Sequence, residues 1–347
     1  MPADGSPRIL ITRLSHIGDC VLTLPLLCAL RRKYPGAYIA WAIEKPANQL
    51  VADHPDLDEL ITIPRGWLKS PASILRHRSK LRAHRFDFVF DPQSLTKSAA
   101  LGWLSGARVR IGLARPFGRE AAPWLNSHLI KPATTHLVDR TIELLRGIDV
   151  HDPQVDFRLP IDPAALEYVL NQIPQNCSTR FIAINPGGTW RSKQWELDRY
   201  AAVAKFARDQ IGLATLVTWA GETERSMAES IVSLSQGSAM IAPPTNLKQL
   251  AVLFSRAQMY LGGDTGPMHI AAAVQTPCVA LFGPTRPEDS GPYGPDHLSL
   301  QAWYQSGTCR QRRSAENLAM REIGTVDVCS AVEQIARRGV SRSRTVA

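Results

Sequence analysis

The chain has 347 residues, 44% of them hydrophobic and 20% charged, which suits two globular domains of roughly 150 residues each and excludes a disordered chain. Lys plus Arg number 40 against 31 Asp plus Glu, a net charge of +9, which favours an anionic partner without naming one. The apolar run CVLTLPLLCAL, residues 20–30, is too short to cross a bilayer, contains Pro25 and follows Asp19, so the reading is a cytoplasmic protein without a span or signal sequence.

In chain order, RILITR (8–13) reads as a strand and CVLTLPLLCALRRKY (20–34) as a helix with Pro25 in its early part. YIAWAI (38–43) and ELITIP (59–64) read as strands, PASILRHRSKLRAH (71–84) as a basic helix, FDFVFD (86–91) as a strand, KSAALGWL (97–104) as a helix and RVRIGL (108–113) as a fifth strand. Continuous apolar strands separated by helices predict a parallel sheet covered on both faces. GIDVHDPQVDFRLPIDP (147–163) is rich in Pro and Asp and breaks the rhythm, so it reads as a linker, with a domain boundary at 170/171. A second series follows: FIAINPG (181–187), ATLVTWAG (214–221), an edge strand near AMIAP (239–243), MYLGGD (259–264) and CVALFGP (278–284). Two tandem doubly wound α/β domains are predicted, with a helix in VDVCSAVEQIARR and a frayed basic tail.

Ligands of open α/β sheets bind beyond the carboxyl ends of the strands. Three turns of the second half carry suitable chemistry. GGDTGPMHIAAA (262–273) joins a strand to a helix, with Pro267 suited to the first helical turn and free N–H groups near Thr265 and Gly266 that make an anion site. Asp264 and Thr265 suit helix caps equally, and His269 a core histidine. NPGGTWRSKQW (185–195) adds Thr189 and the cation Lys193, and WAGETERSMAE (219–229) adds Glu222, which reads either as a ribose acceptor or as an acid on the helix dipole. Together they supply the parts of a nucleoside diphosphate site. In the first half, RLSHIGDCVLTLPLL (13–27) places Gly18 and Asp19 between strand and helix, Asp19 reading as N-cap or as functional acid. Neither G-x-G-x-x-G spacing nor a P-loop is present. The six cysteines form no C-x-x-C pair, and the D-x-D of Asp56 and Asp58 sits in a loop before a strand, so no metal is assigned.

Taken together, SHIGDCVLTLPLLCALRRKYP, DPQSLTKSAAL, NPGGTWRSKQW and GGDTGPMHIAAA…CVALFGPTRP resemble the ADP-heptose:lipopolysaccharide heptosyltransferases, glycosyltransferase family 9, in the same order over about residues 8–300. WAIEKPANQL, DPQSLTKSAAL and GPYG are most similar to the first enzyme of that series, whereas NPGGTW is more similar to the second. The resemblance implies the GT-B fold, two Rossmann-like domains facing across a cleft: residues 1–170 for the acceptor, 171–325 for the ADP-sugar, and a helix over 326–347 that can cross back to the first domain. It implies an inverting, metal-independent transferase without cofactor, moving heptose from ADP-heptose to the Kdo of lipid A at the inner face of the cytoplasmic membrane. It assigns Asp19 as catalytic base, Thr189, Lys193, Asp264, Thr265, Gly266 and His269 to the diphosphate and heptose, Glu222 to the ribose, and Arg65, Lys69 and Lys97 to the acidic acceptor. The competing readings are the second heptosyltransferase of the series, a nucleotide-sugar epimerase of the same fold, and a non-catalytic lipopolysaccharide binder. A nucleic-acid partner is disfavoured, because the basic residues are not interleaved with aromatics beyond Trp67.

Overall fold

The structure, a computed structural model, describes residues 5–177 and 180–345. It divides into two compact units, residues 1–160 and 161–347.

In the first unit the strands are β1 (Arg8–Thr12), β2 (Tyr38–Ile43), β3 (Glu59–Thr62), β4 (Phe88–Asp91), β5 (Val109–Leu113) and β6 (His128–Ile130). They form one sheet in the order β3-β2-β1-β4-β5-β6, all pairs parallel. The helices are α1 (Ile17–Val21), α2 (Leu24–Lys33), α3 (Asn48–Val51), α4 (Pro71–Ala83), α5 (Thr96–Ser105), α6 (Ala122–Leu125) and α7 (Leu137–Ile142). The helix expected over 20–34 is two pieces. Pro25 sits in the first turn of α2, where its missing N–H costs nothing, and the chain bends at Leu22–Thr23. On one face Leu10, Ala40, Ala42, Ile61 and Val89 pack with Leu81 of α4 and Leu101 and Leu104 of α5. The order reverses between β1 and β4, which opens a crevice at their carboxyl ends.

The second unit repeats the plan. Its strands β7 (Phe181–Asn185), β8 (Ala214–Val217), β9 (Ala239–Ile241), β10 (Met259–Gly263), β11 (Cys278–Leu281) and β12 (Leu298–Leu300) run in the order β12-β11-β10-β7-β8-β9, so its switch point lies between β7 and β10. Helices α8 (Pro163–Gln172), α9 (Leu197–Phe206), α10 (Gly221–Leu234), α11 (Leu247–Arg256), α12 (Gly266–Ala273), α13 (Pro287–Ser290), α14 (Cys309–Ser314), α15 (Leu318–Arg321) and α16 (Thr325–Thr345) complete it. The division falls ten residues before the expected boundary, because α8 buries Ala165 and Val169 and packs on α11 of this unit. Val328, Val332 and Ile335 of α16 belong to the core that Ile184, Leu261 and Leu281 form with α9 and α10, so the described side chains of this helix pack within the second unit. Of the tail expected to fray, residues 336–347, the backbone continues as α16 to Thr345, and the side chains from residue 339 on lie outside those described. The short edge strands β6 and β12 were not expected, and the edge strand at 239–243 is β9.

Candidate functional site

In the first unit the crevice between β1 and β4 collects four chain segments. β1 ends at Thr12, and Arg13 turns back into the protein with its side chain only 6% exposed. Its Nη1 donates to Pro92 O at 3.0 Å, across the switch point. Its Nη2 lies 2.9 Å from Asp19 Oδ2, and that carboxylate is 33% exposed. Leu14 N donates to Gln93 Oε1 at 2.9 Å and Trp41 Nε1 to Arg13 O at 3.0 Å, which ties the turn to β4 and β2. Asp19 is not the N-cap of α1. His16 holds that position, and Asp19, three residues on, accepts its backbone N–H at 3.2 Å. Burial works to raise the Asp19 carboxyl, but the Arg13 guanidinium and the His16 N–H outweigh it and hold the group well below the usual carboxylate range. Lys97, in the first turn of α5, donates to Ser15 Oγ at 2.9 Å and to Glu44 Oε1 at 3.4 Å, so it belongs to the same cluster. Arg65 reaches the turn after β2, with Nη2 3.5 Å from Lys45 O. Lys69 is exposed on a short 3-10 turn, Trp67–Lys69.

Sequence reading missed Arg13, Glu44 and Gln93. All three stand one or two residues past a strand end, and reading every strand end for polar residues would have found them. Both carboxylates of the D-x-D are bonded within the unit: Asp58 to Arg31 at 2.5 Å and Asp56 to Arg158 at 3.3 Å. Asp56 also lies with Cys28 and His54 in a buried group of metal-ligand type. There His54 Nδ1 accepts from Asp56 N at 3.1 Å, which commits the other ring nitrogen of the neutral imidazole to carry the proton.

In the second unit the turns after β7 and β10 meet at the switch point. Lys193 Nζ lies 2.6 Å from Asp264 Oδ2 and 3.0 Å from Asp264 O, and 4.7 Å from the centre of the Trp190 ring. His269 Nε2 is 3.5 Å from the other Asp264 oxygen. Asp264 and His269 are each 6% exposed. Burial alone would raise the Asp264 carboxyl, but Lys193 and then His269 hold it well below the usual range. Thr265 is the N-cap of α12 without a side-chain cap bond, and among the described residues the buried His269 Nδ1 has no hydrogen-bond partner. Gly266 and Pro267 open the helix, so its first N–H groups are free to take an anion. Gly262 must be glycine here, because a Cβ would stand 2.4 Å from Tyr260 Oη and 2.7 Å from Asn185 O.

Thr189 is exposed at the tip of its turn. Glu222 is exposed on the first turn of α10 and makes no hydrogen bond or ion pair among the described residues. Two residues on, Glu224 points inward. It accepts from Ala220 N at 2.9 Å, and a Cβ on Gly187 would meet its Oε1 at 2.2 Å. Burial raises its carboxyl. Sequence reading also missed the basic helix α14. It packs on the 191–193 turn and sets Arg313 5.7 Å from the Trp190 ring, which Lys193 also faces.

The chain is 27% identical over 318 residues to lipopolysaccharide heptosyltransferase 1 of Pseudomonas aeruginosa, covering 88% of this chain and 86% of that one. It is 26% identical over 305 residues to lipopolysaccharide heptosyltransferase 2 of Escherichia coli, covering 82% and 85%. Its fold matches that of E. coli heptosyltransferase WaaC with ADP at a TM-score of 0.76, with 24% identity and coverage of 94% and 99%, which gives the chain the GT-B fold. The model of glycosyltransferase family 9 (heptosyltransferase) matches residues 74–319, most of the chain, and the protein belongs to that family.

Proposed function

We propose that the chain transfers heptose from ADP-heptose to the Kdo of the lipid A inner core, with inversion at the anomeric carbon. The observation that carries this reading is the Lys193–Asp264 pair at the switch point of the second sheet, held at 2.6 Å beside the open N-terminus of α12. It is a fixed cation next to free N–H groups, which is the chemistry a diphosphate needs. The donor set is then Thr189, Lys193, Glu222, Asp264, Thr265, Gly266 and His269. The acceptor set is Arg65, Lys69 and Lys97, and the lipid-borne acceptor makes the protein peripheral at an inner-membrane surface.

In the transfer, Asp19 takes the proton of the acceptor hydroxyl. The oxygen attacks the anomeric carbon from the face opposite the phosphate, the carbon–oxygen bond to ADP breaks, and the charge that grows on the leaving diphosphate is met by Lys193 and the N–H groups of α12. This scheme carries the leaving-group charge on protein groups, so transfer persists in a chelator.

Incubation with ADP-heptose and purified Kdo–lipid A, with products read by mass in the presence of EDTA, tests the reading. The expected result is one added heptose and one ADP. Transfer only to an acceptor that already bears heptose would assign the second enzyme of the series. Conversion of the donor sugar without acceptor would replace the transferase by an epimerase.

A further inference from the structure

The positive charge of the chain is concentrated in one stretch. Residues 65–131 hold 13 Lys and Arg against three Asp and Glu, a net of +10, while the other 280 residues together carry −1. Eleven of those cations are exposed, and of these eleven only Lys80 forms an ion pair among the described residues, with Glu59 at 3.7 Å. The exposed large apolar side chains of the first unit fall in the same stretch: Leu68, Leu75 (60% exposed), Trp103 (56%), Trp124 (77%) and Leu129.

They share one side of the fold. Leu68 is on the 3-10 turn before α4, Leu75 on α4, Trp103 on α5 and Trp124 on α6, and these elements pack in that order as one layer over the sheet. Leu129 is on the adjoining edge strand β6. The Arg115 guanidinium lies 5.8 Å from the Trp124 ring, so the most exposed aromatic has a cation beside it.

We propose that this α4–α5–α6 layer is the surface on which the protein docks to an anionic phospholipid bilayer. Unpaired arginines meet lipid phosphates at a negatively charged leaflet. Tryptophan, with an apolar body and a polar N–H, is the side chain that settles at the headgroup boundary. A protein interface would deplete its centre of charge, and single-stranded nucleic acid would need a row of stacking rings, whereas here two tryptophans and three leucines are scattered among exposed cations. The proposal rests on the reading of a lipid-borne acceptor for its purpose, and names the face that reading leaves open.

The test uses the full chain and vesicles of phosphatidylcholine, alone or with phosphatidylglycerol at about two to one. Wild type should co-sediment with the anionic vesicles at low salt, release at high salt, and show a blue shift of tryptophan emission. The double change Trp103→Gln with Trp124→Gln should weaken partition by about tenfold or more and abolish the shift, and Arg108→Gln with Arg119→Gln should flatten the salt dependence. Both variants keep transfer to a deacylated, water-soluble acceptor. Equal binding to zwitterionic vesicles, unchanged partition of the tryptophan variant, or capture of duplex DNA in preference to vesicles overturns the proposal. Vesicle binding with no transfer to any acceptor leaves this surface standing and overturns the heptosyltransferase reading instead.

Discussion

Replacing Arg13 by Gln should move the acid limb of the pH–rate profile upward by about two pH units. Arg13 Nη2 stands 2.9 Å from Asp19 Oδ2, in a pair whose cation is buried and whose carboxylate is one-third open. At an effective dielectric of about 40, between the ~20 of a near-surface pair and the ~80 of water, two such charges interact by about 3 kcal/mol. That equals about two pH units at ~1.4 kcal/mol each. The sign follows from the chemistry: the cation favours the ionised carboxyl, so its removal lets Asp19 hold a proton to higher pH, and the rate falls earlier as pH drops. In wild type the same limb lies below the range where the protein is assayed, since Arg13 and the His16 N–H hold the carboxyl so low. Initial rates of wild type, Arg13→Gln and Asp19→Asn from about pH 2 to 8 separate the roles, normalised to folded fraction because Arg13 also anchors Pro92. Asp19→Asn should lose about a hundredfold or more in turnover with ADP affinity intact. An acid limb that stays in place in Arg13→Gln refutes the electrostatic argument. Near-wild-type turnover of Asp19→Asn removes Asp19 as base and turns attention to His16, whose Nδ1 lies 3.7 Å away.

Two further outcomes are expected. Burial pushes the Asp91 carboxyl up to about 6, against the lowering effect of Ser98, Asn126 and Ser94. The native state then keeps a proton that the unfolded chain has already lost, so this group's stabilisation is full below about pH 4 and gone above about pH 6, a difference of about 3 kcal/mol. Asp91→Asn should therefore raise the melting temperature near pH 8 and leave it unchanged near pH 4, with Asn126, whose Oδ1 has no partner among the described residues, free to turn its amide. On α10, Glu222→Gln should weaken ADP binding by about tenfold in calorimetry without moving the melting temperature, whereas Glu224→Gln should lower the melting temperature, because Glu224 caps the Ala220 N–H; the reverse pattern assigns the donor contact to Glu224.

Much of this was legible in the sequence because the parallel strands are short apolar runs bounded by turn residues, and ten of the twelve strands are such runs. The two that were not, His128–Ile130 and Leu298–Leu300, are three-residue edges whose side chains are half open and carry no period. The sequence assigns helix α8 to the first domain, because it follows directly on the Pro- and Asp-rich linker of residues 147–163. Its allegiance is set by Ala165 and Val169 against α11, a contact between segments some eighty residues apart that local composition cannot encode. The second unit's turns were conspicuous because they carry glycines where a Cβ would collide with neighbouring atoms, Gly187 with Glu224 and Gly262 with Tyr260 and Asn185. Arg13 was not, because an arginine at a strand end looks solvent-facing until the chain returns, 79 residues later, with Pro92 O to receive it.

The two switch points answer each other in charge. Each holds one cation and one carboxylate in contact, but with opposite members shielded. In the first unit the arginine is the buried member, at 6%, and the Asp19 carboxylate is open at 33%. In the second the Asp264 carboxylate is buried, at 6%, and the Lys193 ammonium is the more open at 15%. A buried ion needs its partner to be held in the fold at all, so each inner charge fixes the position of the outer one and leaves its outer side free to act. The first crevice therefore offers a fixed negative charge, suited to a departing hydroxyl proton, and the second a fixed positive charge, suited to a departing phosphate. Displacement of a phosphate-linked leaving group by a hydroxyl needs only these two charges, each preorganised on its own sheet.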